Sequence, residues 1–81
     1  MDDSLNEAWT ADVVGRMHRY RITNVQLANE CGYTATYLSL VLNGRKVFER
    51  WENKEKTKGI ILRALENIES RILKADEENT D

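Results

Sequence analysis

Between Thr23 and Gly44 the chain marks out two helices that are too short to stand alone. Thr23 can offer its hydroxyl to the first turn of the segment that follows, and Gln26 completes a Thr-x-x-Gln capping box. Gly32 then supplies a residue that tolerates a left-handed backbone, the usual end of a helix. Thr34 opens a second segment in the same way, and Asn43-Gly44 closes it. Apolar pairs reinforce the two helix starts, Ile22 with Leu27 and Tyr33 with Leu38. The pattern predicts helices near 24–31 and 35–43. Isolated helices below roughly 12–15 residues are marginal in water, so both must be held by packing.

The rest of the chain supplies what they pack on. Thr10 is read as the cap of a first helix near 10–20, with Trp9 stapled to Val14. Ile61, Leu65, Ile68 and Ile72 recur at helical spacing and predict a long helix over about 54–74, its stripe widened by Ile60, Leu62 and Leu73. Gly59 lies inside it, where glycine costs about 1 kcal/mol relative to alanine and marks a bend or a close helix contact. Val47, Phe48 and Trp51 are read as tucking the connecting segment onto the core as a short extra helix. The expected core is Val13, Val14, Met17, Leu27, Ala28, Cys31, Leu38, Val41 and Leu42. Proline and alternating strand-like runs are both missing, so the fold class is all-α, with about four to five helices and a long C-terminal one. Residues 10–75 form the single domain, between a flexible acidic segment at 1–9 and a frayed acidic tail at 76–81.

Composition excludes several classes. One cysteine, Cys31, rules out an internal disulfide and a paired-cysteine zinc site; it is read as a small buried hydrophobe. No apolar run has the length of a membrane span, which points to a cytoplasmic protein without a membrane partner. There is no phosphate-binding glycine loop, no ligand-spaced cluster and no nucleophile with a nearby base. The expectation is therefore no enzyme, no catalytic or metal-binding residue, no cofactor and no small-molecule ligand. His18, the single histidine, is read as exposed, and Arg16 as a surface residue of the first helix.

The net charge of −2 hides an uneven distribution. Residues 1–15 carry four acidic side chains and no basic one, and residues 51–81 carry six basic against eight acidic. Residues 16–50 carry six basic against two acidic, a local +4. A polyanion responds to that local field more than to the total.

Two short helices joined by a Gly-Tyr-Thr turn have the form of a helix-turn-helix. The 22 residues from Thr23 to Gly44, TNVQLANECGYTATYLSLVLNG, resemble that unit of the phage Cro- and repressor-type (XRE-like) DNA-binding regulators. Ala28 stands where two helices cross, Gly32 follows four residues later, and Leu38 and Val41 come ten and thirteen residues after Ala28. Leu27 and Tyr33 fall at positions that are usually apolar in this family, and Asn43-Gly44 resembles its closing pair. The resemblance implies a lambda-repressor-like domain whose third helix enters the major groove.

On that resemblance, Ala35, Thr36, Ser39, Leu40 and Asn43 take the positions that touch base edges. Asn24 and Gln26 take the phosphate-binding start of the second helix, with Tyr37 at the flank of the third. Arg19 and Arg21 before the unit, and Arg45 and Lys46 after it, are read as phosphate clamps. The sequence departs from the family in having Asn24 where glutamine is common, and in a reading face without Arg, Lys or Gln. The function implied is a sequence-specific regulator of phage or mobile-element type, a repressor acting as a homodimer on double-stranded DNA. The alternative is a protein-interaction module on the same scaffold, an antitoxin or adaptor.

Overall fold

The computed structural model describes residues 8–78 of the 81. Over them the chain is all-helical, with four helices and no strand: α1 (Ala8–Tyr20), α2 (Asn24–Cys31), α3 (Ala35–Leu42) and α4 (Trp51–Glu78). α2 packs on α3 and α4, and α1 also packs on α3 and α4. α3 therefore rests on α1 and α2, and α4 closes the other side of the core. Val13, Leu27, Leu38, Ile61 and Leu65 are fully enclosed where the four helices meet. Ala28 is buried with them. Val14 and Cys31, expected in the core, sit at its margin, half-buried.

The short helices are punctuated as their sequence requires. At α2 the Gln26 backbone N–H donates to Thr23 Oγ1 at 3.1 Å, and Gln26 Oε1 accepts from the Thr23 N–H at 2.8 Å. At α3 the Tyr37 N–H donates to Thr34 Oγ1 at 3.0 Å. Both exits are Schellman turns on a left-handed glycine, Gly32 at φ 83° and Gly44 at φ 71°. The paired bonds are Tyr33 N–H to Ala28 O with Gly32 N–H to Asn29 O, and Arg45 N–H to Leu40 O with Gly44 N–H to Val41 O. α1 ends on the same bonds, Ile22 N–H to Met17 O and Arg21 N–H to His18 O, but its left-handed residue is Arg21 at φ 56°.

Several boundaries differ from the sequence reading. Thr10 does not cap α1, because the backbone is helical from Ala8 and Thr10 lies within the first turns. α1 also takes in Trp9, and α4 takes in residues 76–78, all of which the sequence reading places in the acidic ends. The remainder of those ends, 1–7 and 79–81, lies outside the described residues. There is no helix between α3 and α4. Of the three residues expected to tuck in there, only Phe48 packs on the core, while Val47 is 76% and Trp51 72% exposed. α4 begins at Trp51 rather than Lys54, with the Arg50 carbonyl accepting from the Asn53 and Lys54 N–H groups at 3.2 and 3.3 Å. The residue before the helix is an arginine, with no short polar side chain to announce the start.

α4 has 28 residues and is therefore about 42 Å long. Gly59 lies within the unbroken helix, with open space where a Cβ would be, so it marks no close helix contact. The radius of gyration is 13.8 Å, above the roughly 12 Å expected of a compact domain of this size. The far end of α4 beyond Ile68 reaches past the core, where Ile72 is half-buried and Leu73 48% exposed.

Ion pairs among the described residues fasten α4 to α1 and α2. Arg16 is not a free surface residue: its Nε and Nη2 donate to Glu69 Oε2 and Oε1 at 2.8 and 2.5 Å, with Asp12 at 3.5 Å on its other side. The paired carboxylate holds the Arg16 guanidinium well above its ordinary pKa. Arg71 pairs with Glu30, joining α4 to α2 at a more exposed position. No helix among the described residues is long and apolar enough to cross a membrane.

Candidate nucleic-acid interface

α3 has to bury one face to exist, and that face is set by Leu38, Val41 and Leu42. The 3.6-residue period then turns the intervening positions outward. Thr36, Leu40 and Asn43 are exposed and Ser39 half-exposed, which makes one continuous stripe at i, i+3, i+4 and i+7. Asn43 Nδ2 donates to Ser39 Oγ at 3.2 Å, so two of the polar groups are already aligned on each other. The remaining Asn43 carbonyl and Ser39 hydroxyl hydrogen are open to solvent-side partners. Ala35, placed on this face from the sequence, is half-buried and packs partly on the core.

The flanks are basic. Arg19 and Arg21 are exposed at the end of α1, and Arg45 and Lys46 are exposed just past α3. Asn24 is exposed at the first residue of α2, but the Gln26 side-chain oxygen is committed to Thr23, leaving only its amide N–H groups to offer. His18 is exposed, as expected.

Sequence reasoning missed how Lys46 is held. Tyr37 stacks obliquely on Tyr33, with ring centroids 4.9 Å apart at 56°. The Lys46 ammonium lies 5.8 Å from the centroid of Tyr37 and 5.8 Å from that of Phe48. A cation over two ring faces is attracted by their quadrupoles, so Lys46 is positioned rather than free to sweep the surface. Tyr33 is in turn tied to α4 by a hydrogen bond with Thr57, the buried polar side chain of that helix. Burial raises the Tyr33 pKa, and the Thr57 bond opposes that rise. The signal was present as Tyr33, Tyr37 and Phe48 around Lys46, but spacing alone does not bring a loop aromatic onto a helical one.

Arg21 is the other feature that sequence reasoning missed. A non-glycine residue in the left-handed region costs about 1–2 kcal/mol. Nothing in the fold needs that side chain, since Arg21 is exposed and makes only the backbone turn. Arg21→Gly should therefore leave the domain as stable or raise its stability by up to about 1 kcal/mol. Thermal melting checks this, and a loss of stability would show that the arginine side chain contributes to the folded state.

Burial, with Glu30 adding to it, pushes the half-buried Cys31 thiol up to about 11, which favours its protonated form at neutral pH. No group of three or more potential metal ligands occurs among the described residues. No family model, curated protein or solved structure matches this chain.

Proposed function

We propose that this chain is a helix-turn-helix regulator that reads double-stranded DNA in the major groove with α3. The observation that carries the proposal is the division of α3 into two faces. Leu38, Val41 and Leu42 are spent on the core, while Thr36, Ser39, Leu40 and Asn43 form an outward stripe that exposed Arg45 and Lys46 follow directly in the chain. Hydroxyl and amide groups match base-edge donors and acceptors, and Leu40 matches a thymine methyl. Arg19, Arg21, Arg45 and Lys46 are suited to the phosphates on both sides, with Asn24 and Tyr37 beside them. The resemblance of residues 23–44 to the Cro- and repressor-type unit supports the same reading, and with it a repressor of the phage or mobile-element kind acting in the cytoplasm.

A face with no Arg, Lys or Gln makes few strong base contacts, so one domain alone would discriminate weakly. Two copies on a two-fold site would double the contacts, and we assign the chain to the homodimeric regulators on that ground. The competing reading is a protein-interaction module. The exposed Leu73 beside half-buried Ile72, distant from α3 along α4, favours it.

Selection from random duplex DNA at low salt, followed by titration of the enriched sequence against salt, separates the two. A palindromic consensus whose affinity falls steeply with salt is the expected result. Absence of both enrichment and slope overturns the proposal in favour of the interaction module.

A further inference from the structure

The charge along α4 and the loop before it is divided. Residues 45–58 carry Arg45, Lys46, Arg50, Lys54, Lys56 and Lys58 against Glu49, Glu52 and Glu55, a net +3. Residues 59–78 carry three basic against five acidic side chains, a net −2. Summing the whole C-terminal segment conceals this. The start of α4 continues the positive charge that begins at Arg45 and Lys46 just past α3, and the far end of the same helix opposes it.

An open groove of about 520 Å³ lies at the positive end, where the loop after α3 meets the first two turns of α4. Its walls include Tyr33, Tyr37, Lys46, Glu49, Asn53 and Lys56. Lys46 is fixed at one wall by the Tyr37 and Phe48 rings. Asn53 and Lys56 are one helical turn apart on α4 and both exposed. Neither lysine is in an ion pair among the described residues. The groove thus presents two ammonium groups, an amide and two phenols against one carboxylate, with Tyr37 of α3 in its wall.

We propose that this groove holds the sugar–phosphate backbone of the duplex that α3 reads, with Asn53 and Lys56 of α4 as phosphate ligands beside Lys46. The proposal rests on the DNA-binding reading above and adds to it the α4 wall, which the 23–44 unit does not include. A phosphodiester is the occupant the chemistry favours. It brings the negative charge that two lysines lack here, and it accepts hydrogen bonds from an amide and a phenol at no cost in sequence preference. Glu49 is the one opposed group, and it sets a sign that the test can use.

The test is the salt dependence of binding to one duplex of mixed sequence and to the selected duplex, for the full chain and single variants. Lys56→Ala should flatten the slope of log K against log salt by about 0.9 and weaken both duplexes about fivefold at 0.15 M salt. Asn53→Ala should weaken both equally with little change in slope, and Glu49→Gln should tighten both. Lys74→Ala removes the same charge from the exposed, acidic end of α4 and should change neither. A Lys56→Ala slope equal to wild type overturns the proposal. So does an equal effect of Lys74→Ala, which would make the loss one of total charge. Wild-type protein without any salt-dependent binding overturns the DNA reading itself, a different outcome from wild-type slope retained in Lys56→Ala.

Discussion

Leu38→Ala is expected to destabilise the domain by about 3 kcal/mol, within the roughly 2–5 kcal/mol range of leucine truncations in enclosed cores. Leu38 has no solvent exposure and stands where α3 meets the rest of the core, among Leu27, Ile61 and Leu65. A chain of 81 residues has a total stability on the order of 4–12 kcal/mol, so this one truncation removes a large part of it. At about 4–8 °C per kcal/mol for a domain of this size, melting should fall by roughly 12–24 °C. α3 has only eight residues and no stability of its own, so loosening its buried face loosens its outer face too. Leu40→Ala is the companion measurement. Leu40 is two residues along the same helix and 40% exposed, and its truncation should stay within about 0.5 kcal/mol of wild type. Urea titration of both variants decides the matter. A Leu38→Ala loss below about 1 kcal/mol would mean that the site collapses freely and that α3 is not fixed by this contact.

The contrast between Leu38 and Leu40 also shows what is legible in the sequence. Local chemistry specified α2 and α3 almost to the residue, because Thr23, Gln26, Gly32, Thr34 and Gly44 each act within one turn of themselves. The same rule failed at Thr10, where a good capping residue lies inside a helix that the chain continues past. It also failed at Arg50, which begins α4 through its carbonyl with no side-chain cap, and at Arg21, which takes a glycine's place at the end of α1. Much of the core followed from periodicity, since Val13, Met17, Leu27, Leu38 and Ile61 fall on helical stripes, whereas buried Ala64 lay outside the expected set and Val14 and Cys31, expected inside, lie at the margin. Contacts between elements were not legible. Arg16 and Glu69 are 53 positions apart, and no local pattern pairs them. Nor does any pattern place Lys46 over two rings or leave Trp51 in solvent, because an apolar residue in a loop is buried only if the loop happens to cross the core. For the candidate site the family resemblance named Thr36, Ser39, Leu40 and Asn43, which do lie on the outer side of α3, and Ala35, which instead packs partly on the core, while the walls supplied by α4 were not legible.

The largest expected effect on binding belongs to the cations that follow α3. Replacing Arg45 and Lys46 together by alanine removes two exposed positive charges at the end of the outward stripe. If each neutralises one phosphate, each contributes about 0.9 to the salt slope. The double variant should then lose about 1.8 of the slope, which corresponds to roughly 30-fold weaker binding at 0.15 M salt and almost none of that loss near 1 M. The loss should be the same for every duplex, since phosphates carry no base identity. Stability should fall by no more than about 1 kcal/mol, the worth of the exposed Lys46 ammonium over the Tyr37 and Phe48 rings, because neither side chain is part of the core and the Schellman turn uses only backbone. Ser39→Ala and Asn43→Ala should behave in the opposite manner, altering which base is preferred at one position by about 1–3 kcal/mol while leaving the salt slope intact. Because Asn43 donates to Ser39 at 3.2 Å, the two substitutions share a partner and their effects should not add. Fluorescence anisotropy at several salt concentrations, on a preferred duplex and a scrambled one, separates the two classes of residue. A sequence-dependent loss in the Arg45/Lys46 variant would move those residues onto the bases. An unchanged slope would remove them from the interface and leave α3 without its anchor on that side.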